Sequence, residues 1–219
     1  MVEKDTKTPR ERYRAQVRAE IKEHAREQIA TAGASALSLN AIAKRMGLSG
    51  PALYRYFAGR DELITELVKD GYQSLADTFR AASHAAASGD QLAALAGALR
   101  AWALEDPHRY FLLYGTPVPG YEAPGDTTAI ASEIMAMLLD ACAALPDERS
   151  PGPFDAHLAE HRDWADGHPA GPTALHRALT VWTRLHGVLS LEAAGQFGGM
   201  GFDPAELYAA ELQDLLAGG

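Results

Sequence analysis

The sequence predicts an all-α protein of about nine helices, arranged as a small N-terminal domain and a larger C-terminal one. Apolar residues recur every three or four positions along nearly every ordered stretch, as they do on the buried side of a helix. No stretch alternates apolar and polar residues for long enough to predict a strand. With 219 residues, 47% of them hydrophobic and 22% charged, the chain can form a substantial core.

Residues that start and end helices divide the chain. Gly33 and Gly47 end the first two helices, because glycine adopts the left-handed conformation without strain. Ser38 and Ser49 are good N-caps for the second and third helices, and Asp106 precedes a proline at the start of the sixth. The expected helices cover residues 17–32, 38–46, 49–57, 61–75, 92–102, 107–114, 130–145, 173–197 and 204–216, with a further short one around 154–164 in the proline-rich connection 146–172.

Charge is distributed unevenly along the chain. The formal net charge is -9, but residues 1–60 carry twelve basic and six acidic side chains, whereas residues 61–219 carry eight and 23. A basic segment at one end of an acidic protein predicts a polyanionic partner for that end, nucleic acid in particular. The cations before the first helix have two interpretations, a solvated tail, which is favoured, or an arm that follows the DNA minor groove. These cations are Lys4, Lys7, Arg10, Arg12 and Arg14.

Several functional classes find no support in the sequence. Cys142 is the only cysteine, which excludes an internal disulfide and a multi-cysteine metal site. The chain lacks an apolar run of about 20 residues, a signal-peptide pattern, a nucleophile elbow and a phosphate loop. We therefore expect a cytoplasmic protein without catalytic activity or a cofactor. His157 and His161 are interpreted as solvated histidines, with a metal sensor as the minor alternative.

Residues 38–57 predict a helix-turn-helix. Ala43 is small enough for two helices to approach closely, and Gly47 allows the chain to reverse. The second helix would then project from the core, as a recognition helix must to enter a major groove about 12 Å wide. Its Leu53 and Phe57 are spaced to face inward. The outward side carries Tyr-Arg-Tyr, in which the arginine suits guanine and the tyrosines suit phosphates.

This region resembles the N-terminal domain of the TetR family of bacterial transcriptional regulators. The resemblance covers residues 18–65 and is strongest over the run LSLNAIAKRMGLSGPALYRYFAGRDEL. One departure is Gly59-Arg60, where Lys or Asn followed by Lys is commoner, but Arg60 retains the charge. The resemblance implies operator contacts along this motif. Together with the outward side of the motif it selects Ser38, Lys44, Ser49, Gly50, Pro51, Ala52, Tyr54, Arg55, Tyr56 and Arg60 as DNA-contacting residues.

The eighth expected helix is apolar nearly all round, which is typical of a helix buried on two sides. One side is expected to face its own domain and the other, with the ninth helix, a second copy of the chain. A two-fold dimer also suits operator half-sites about 34–36 Å apart. Trp182, His186 and Gly187 resemble the C-terminal domain of a TetR subgroup named for a Trp and a His-Gly pair. We therefore assign residues 1–65 to an arm and DNA-binding domain and residues 66–219 to effector binding and dimerisation.

The C-terminal domain is expected to hold a small apolar effector. Aromatic and methionine residues at helical spacing could line its cavity, although they would serve equally well in a filled core. His186, on an apolar stripe, is expected to make one buried hydrogen bond. The candidate lining residues are Trp102, Phe111, Tyr114, Met135, Leu138, Trp182 and His186.

These features predict a homodimeric, ligand-responsive transcriptional regulator that binds a palindromic operator. Release of DNA by the effector is the expected response, which favours a repressor over an activator. A dimeric small-molecule binding protein with the same helical fold is the alternative.

Overall fold

The computed structural model describes residues 8–87, 89–122, 124–146 and 150–217, and every regular element in these ranges is helical. The all-α prediction is confirmed, and each expected helix has a counterpart. The additional short helix spans Pro153–Glu160. In the described ranges, none of the helices combines the length and the hydrophobicity needed to span a bilayer. The helices are α1 Pro9–Ala32, α2 Leu39–Arg45, α3 Gly50–Leu53, α4 Arg60–Ala85, α5 Gln91–Glu105, α6 Pro107–Tyr114, α7 Gly125–Ala143, α8 Pro153–Glu160, α9 Pro172–Ala193 and α10 Pro204–Leu216.

Helix α1 begins well before the apolar stripe that predicted it. The Thr8 hydroxyl accepts a hydrogen bond from the Glu11 backbone, and the Glu11 carboxylate accepts one from the Thr8 backbone at 2.7 Å. This capping box, with proline at the first helical position, extends the helix toward the N-terminus. The expected arm or tail is therefore wrong for three of the five N-terminal cations, because they lie on a helix. Those three are Arg10, Arg12 and Arg14, while Lys4 and Lys7 lie outside the described residues.

Helix α3 is a single turn and is shorter than expected. It ends at Leu53, and residues 54–56 form a turn rather than a second helical turn. Leu53 and Phe57 are nevertheless both fully buried, so the prediction that this pair faces inward is confirmed. A helix this short is marginal alone, and its direction must therefore come from the contacts around it.

Helix α4 runs through both domains. Its first half, up to Val68, packs in one core with α1, α2 and α3. Its second half, from Leu75 onward, packs in the larger C-terminal core. The boundary expected after residue 65 thus falls inside α4, and a continuous helix joins the two domains.

Helix α6 and the loop after it join the domains beside α4. A Cβ atom added at Gly71 of α4 would lie 3.2 Å from Leu113, so glycine permits the close approach of α6. The loop then crosses α4, where Val118 and Tyr121 pack against the N-terminal core. The Tyr121 hydroxyl lies 3.2 Å from Thr65 Oγ1. Helix α6 and the loop after it therefore contact α4 and the N-terminal core together.

Candidate nucleic-acid interface and effector region

The turn between α2 and α3 is fixed by its caps and by burial beneath it. The Ser38 hydroxyl accepts a hydrogen bond from the Ala41 backbone, and the Ser49 hydroxyl accepts one from the Ala52 backbone, each at 3.3 Å. Gly47 has φ of 68°, a left-handed conformation that favours glycine. The predicted caps and reversal are confirmed, and they set the direction in which α3 leaves the core.

The predicted DNA-contacting residues differ in their exposure. Tyr54 is 49% exposed, and its neighbour Arg55 is also exposed. Tyr56 is half-buried and packs against the N-terminal core, so the two tyrosines do not present equivalent surfaces. The remaining exposed members of the set are Lys44, Ser49 and Pro51, and the half-buried ones are Ser38, Gly50, Ala52 and Arg60.

Arg60, one of the predicted DNA-contacting residues, contacts the protein itself. Its Nη2 donates to the carbonyl of Ala34 at 3.0 Å and to that of Ser35 at 3.4 Å. These bonds hold the start of α4 against the turn that follows α1. A phosphate contact by Arg60 stays a prediction, and such a contact would have to use the donors that these carbonyls leave free.

An aromatic cluster surrounds His186 in the C-terminal domain. Its ring centroid lies 4.1 Å from that of Trp182, 4.6 Å from that of Tyr114 and 5.7 Å from that of Tyr110. The Tyr110 hydroxyl and His186 Nδ1 are 3.0 Å apart, which is the buried hydrogen bond that the sequence predicted. His186 Nε2 is buried without a partner, and burial lowers the pKa of this imidazole to about 4. The ring is therefore neutral at physiological pH.

The other residues that were expected to line an effector cavity do not surround one common space. Trp102 Nε1 donates to the Ser74 hydroxyl at 3.0 Å, and Met135 packs at the edge of the core. Leu138 and Trp182 border a cavity of about 10 Å³, which is room for about one water molecule. At this place the structure has a nearly filled core, which was the alternative to an open effector cavity.

Two larger clefts flank α6, and neither was predicted from the sequence. One, of about 480 Å³, lies between α1, α4 and α6. The other, of about 360 Å³, lies between α4, the loop after α6 and α7, and is bordered by Tyr72 and Tyr121. Tyr72 meets Tyr114 edge to face at 6.1 Å, and Tyr114 in turn contacts His186, so two ring contacts connect the border of the second cleft with His186.

The outward side of α9 and α10 combines small and apolar residues. Leu191 is 46% exposed and Leu216 is 38% exposed. The same two helices also carry exposed small residues, among them Gly187, Ala209 and Ala210. Such a surface allows the helices of another molecule to approach closely.

His157 and His161 stack on each other in α8 and the residue after it. Their ring centroids are 4.1 Å apart, and His161 Nδ1 lies 2.9 Å from the His157 carbonyl oxygen. Within the described ranges, no group of three or more potential metal ligands comes together.

Two family models match the chain. Residues 21–67 match the bacterial regulatory proteins of the tetR family, and residues 92–215 match the Tetracyclin repressor-like C-terminal domain. The first match contains the helix-turn-helix. The second contains the aromatic cluster around His186, all of α9 and all but the last residue of α10.

Individual relatives agree with these matches. The HTH-type transcriptional regulators Rv1816 of Mycobacterium tuberculosis and Mb1846 of Mycobacterium bovis are each 39% identical over 217 residues, or 93% of this chain and 92% of theirs. The crystal structure of SCO4313, named a regulatory protein, is 71% identical with a TM-score of 0.87, over 96% of this chain and 100% of that one. FadR of Bacillus subtilis, crystallised with stearoyl-CoA, shares the fold at 15% identity and a TM-score of 0.57, over 92% of this chain and 98% of its own. With both domains matched and whole-length relatives of this kind, the chain belongs to the TetR family of DNA-binding transcriptional regulators.

Proposed function

We propose that the protein is a ligand-responsive repressor that binds a palindromic operator as a homodimer and releases it when a small effector binds. The observation that supports the DNA-binding mode best is the exposed pair Tyr54 and Arg55, held at the end of a one-turn helix. Burial of Leu53 and Phe57 on the opposite side anchors that helix to the domain. Exposed aromatic and arginine side chains on a rigid support suit a recognition surface.

The residues before this pair favour close approach to the groove. Gly50 and Ala52 are small, so the start of α3 can lie near the base edges. Arg55 then supplies a bidentate donor for guanine, and the Tyr54 hydroxyl supplies a donor for a backbone phosphate. Lys44 on α2 adds positive charge to the same side.

Dimerisation through α9 and α10 is the second part of the proposal. The exposed small and apolar residues on these helices support a four-helix contact between two copies. A two-fold axis through this contact would place two recognition helices on one face of the dimer, as a palindromic operator requires.

The third part is an effector that enters beside α6. The cleft of about 360 Å³ is lined in part by the apolar Val68 and Leu113, and Tyr72 at its border is linked to His186 through Tyr114. A ligand with an apolar body and one polar group would fit this arrangement, because neutral His186 has an unpartnered Nε2. Stearoyl-CoA in B. subtilis FadR is a precedent in this fold for a ligand that carries a long apolar acyl chain.

An effector acts on DNA affinity only if it prefers one conformer over another. A ligand that displaces Tyr114 would disturb its contact with Tyr72 of α4. Because α4 continues into the N-terminal domain, this would change the separation of the two recognition helices. Operator release is the expected result.

Selection from random duplex DNA tests the proposal. We expect the full-length protein to enrich a sequence with two-fold symmetry, and its affinity to fall steeply as salt is added. Tyr54→Ala should weaken binding to that duplex by about tenfold without lowering the Tm, and Tyr54→Phe separates the hydroxyl from the ring. Enrichment of no sequence, even at low salt, would favour the small-molecule binding alternative. Wild-type affinity in Tyr54→Ala would show that the contact assignment is wrong.

A further inference from the structure

Two arginines of α1 hold the carbonyl end of the recognition turn. Arg18 Nη1 donates to the carbonyl of Tyr56, and Arg14 Nη2 donates to the carbonyl of Arg55 at 3.2 Å. A one-turn helix leaves its last carbonyls without helical partners. Backbone amides of the turn meet the carbonyls of Ala52 and Leu53 at the end of α3. The two guanidinium groups bind the next carbonyls, those of the turn itself, from a helix that lies about forty residues earlier in the chain.

Arg18 is itself fixed from several directions. Its guanidinium carbon lies 4.1 Å from the centre of the buried Phe57 ring. Its Nη2 lies 3.2 Å from a carboxylate oxygen of Glu66, and its Nη1 lies 3.7 Å from one of Glu62. The side chain is only 24% exposed. Stacking, two ion pairs and a backbone hydrogen bond leave this guanidinium little freedom to move.

One of these two carboxylates, that of Glu62, also binds the turn directly. Glu62 of α4 accepts a hydrogen bond from the backbone of Ala58. Backbone groups at 55, 56 and 58 are thus held by three side chains from two helices, immediately after the exposed Tyr54. These three side chains, Arg14, Arg18 and Glu62, together with Glu66, which pairs with Arg18, form what we name the α1 clamp.

We propose that Arg18 is a positioning residue for sequence recognition: it fixes the recognition turn against α1 and α4, and so sets the direction of Tyr54 and Arg55. It acts through the turn backbone rather than through DNA. The planar guanidinium is required, because it stacks on a ring while donating to a carbonyl and to a carboxylate. A lysine ammonium supplies the charge but not this combination of directions.

The first test compares two identical substitutions on α1. Arg18→Lys keeps the positive charge and removes the planar guanidinium with its forked N–H donors. Arg26→Lys is the control, because Arg26 pairs with Glu23 at 2.8 Å and lies 3.7 Å from Asp70 without bonding the turn. We expect Arg18→Lys to lower affinity for the selected duplex by about tenfold, with non-specific affinity and the salt slope unchanged. Arg26→Lys should match the wild type.

A second pair of variants separates positioning from charge. Glu66→Ala removes a carboxylate that holds Arg18, and Glu23→Ala removes one that pairs with Arg26. On charge alone, both removals of a negative group should tighten binding to DNA. If Arg18 must be positioned, Glu66→Ala should instead weaken specific binding about threefold, while Glu23→Ala does not.

Amide hydrogen exchange of the full-length protein gives a readout that does not need DNA. We expect faster exchange over residues 50–60 in Arg18→Lys, with the rest of the chain and the Tm unchanged, and no such effect in Arg26→Lys. Wild-type specific affinity in Arg18→Lys would overturn the proposal. So would a salt slope about 0.9 shallower than that of the wild type in Arg18→Gln, which removes the charge, because loss of one phosphate contact would show that the guanidinium binds DNA directly. If no duplex is selected, the operator function fails, and exchange alone decides whether the clamp orders the turn.

Discussion

Replacing His186 by glutamine should make the protein less sensitive to mild acid. The folded-state pKa of His186 is about 4, lowered by burial, against an unfolded value of about 6.5. The native state therefore binds fewer protons than the unfolded state between these values. The stabilisation is fully present above pH 6.5 or so, and it is lost as the pH falls toward 4.

The expected size follows from these two values. At about pH 5 the unfolded histidine is largely protonated while the native one is not, which costs about 2 kcal/mol of the free energy of unfolding. For a chain of this length, that is a fall in Tm of about 4–8 °C. Glutamine cannot titrate, and its amide can still bond the Tyr110 hydroxyl, so His186→Gln should lack this loss.

The assay is thermal unfolding at about pH 7.5 and about pH 5 for the wild type, His186→Gln and a control. His84→Gln is the matched control, because His84 is an exposed histidine at the end of α4. We expect the wild type and His84→Gln to lose about 4–8 °C more than His186→Gln between the two pH values. An equal loss in all three proteins would mean that His186 titrates normally and is not buried in solution.

Two further predictions use glycines with the same control position. Gly187→Arg should convert the proposed dimer to a monomer in sedimentation experiments. Helix content should stay intact, because a Cβ atom added at Gly187 would have no neighbour within 4 Å outside its own helix. Gly97→Arg, at an equally open glycine of α5, should stay dimeric, and a dimeric Gly187→Arg would exclude this face as the interface. Gly71→Val should destabilise by about 1–3 kcal/mol in urea unfolding, because its side chain would meet Leu113, whereas Gly97→Val should not. Equal stability of the two valine variants would contradict the close contact between α4 and α6.

Local sequence signals predicted the helices better than their ends. Apolar spacing located every expected helix, but it missed the start of α1, because the first residues of that helix are exposed. Thr8-Pro9 followed by Glu11 was the readable signal there. In α3, burial of Phe57 continues the helical spacing although the backbone has already left the helix. Side-chain pattern and backbone conformation therefore diverge where tertiary contacts take over from helix propensity.

The candidate sites show the same division. The outward position predicted for Tyr54 is confirmed, whereas Tyr56, predicted for the same side, is half-buried. A hydrogen bond at His186 could also be expected, but its partner Tyr110 lies 76 residues away. The hydrogen bond from Arg18 to Tyr56 joins residues that are 38 positions apart in the sequence. The clefts beside α6 depend on how whole helices pack. No local pattern encodes contacts of that length.

If an effector acts through α4 as we propose, the length of this helix would make a small shift sufficient to disrupt binding. From Tyr72, beside the aromatic cluster, to Arg60, at the recognition domain, α4 spans about 18 Å at about 1.5 Å per residue. A tilt of about 10° about Tyr72 would move the Arg60 end by about 3 Å. In a two-fold dimer the displacements add, giving about 6 Å against a half-site separation of about 34–36 Å. Close-packed cores do not absorb such a shift locally. Displacement of the Tyr114 side chain would therefore change the position of the recognition helices and lower the affinity for the operator.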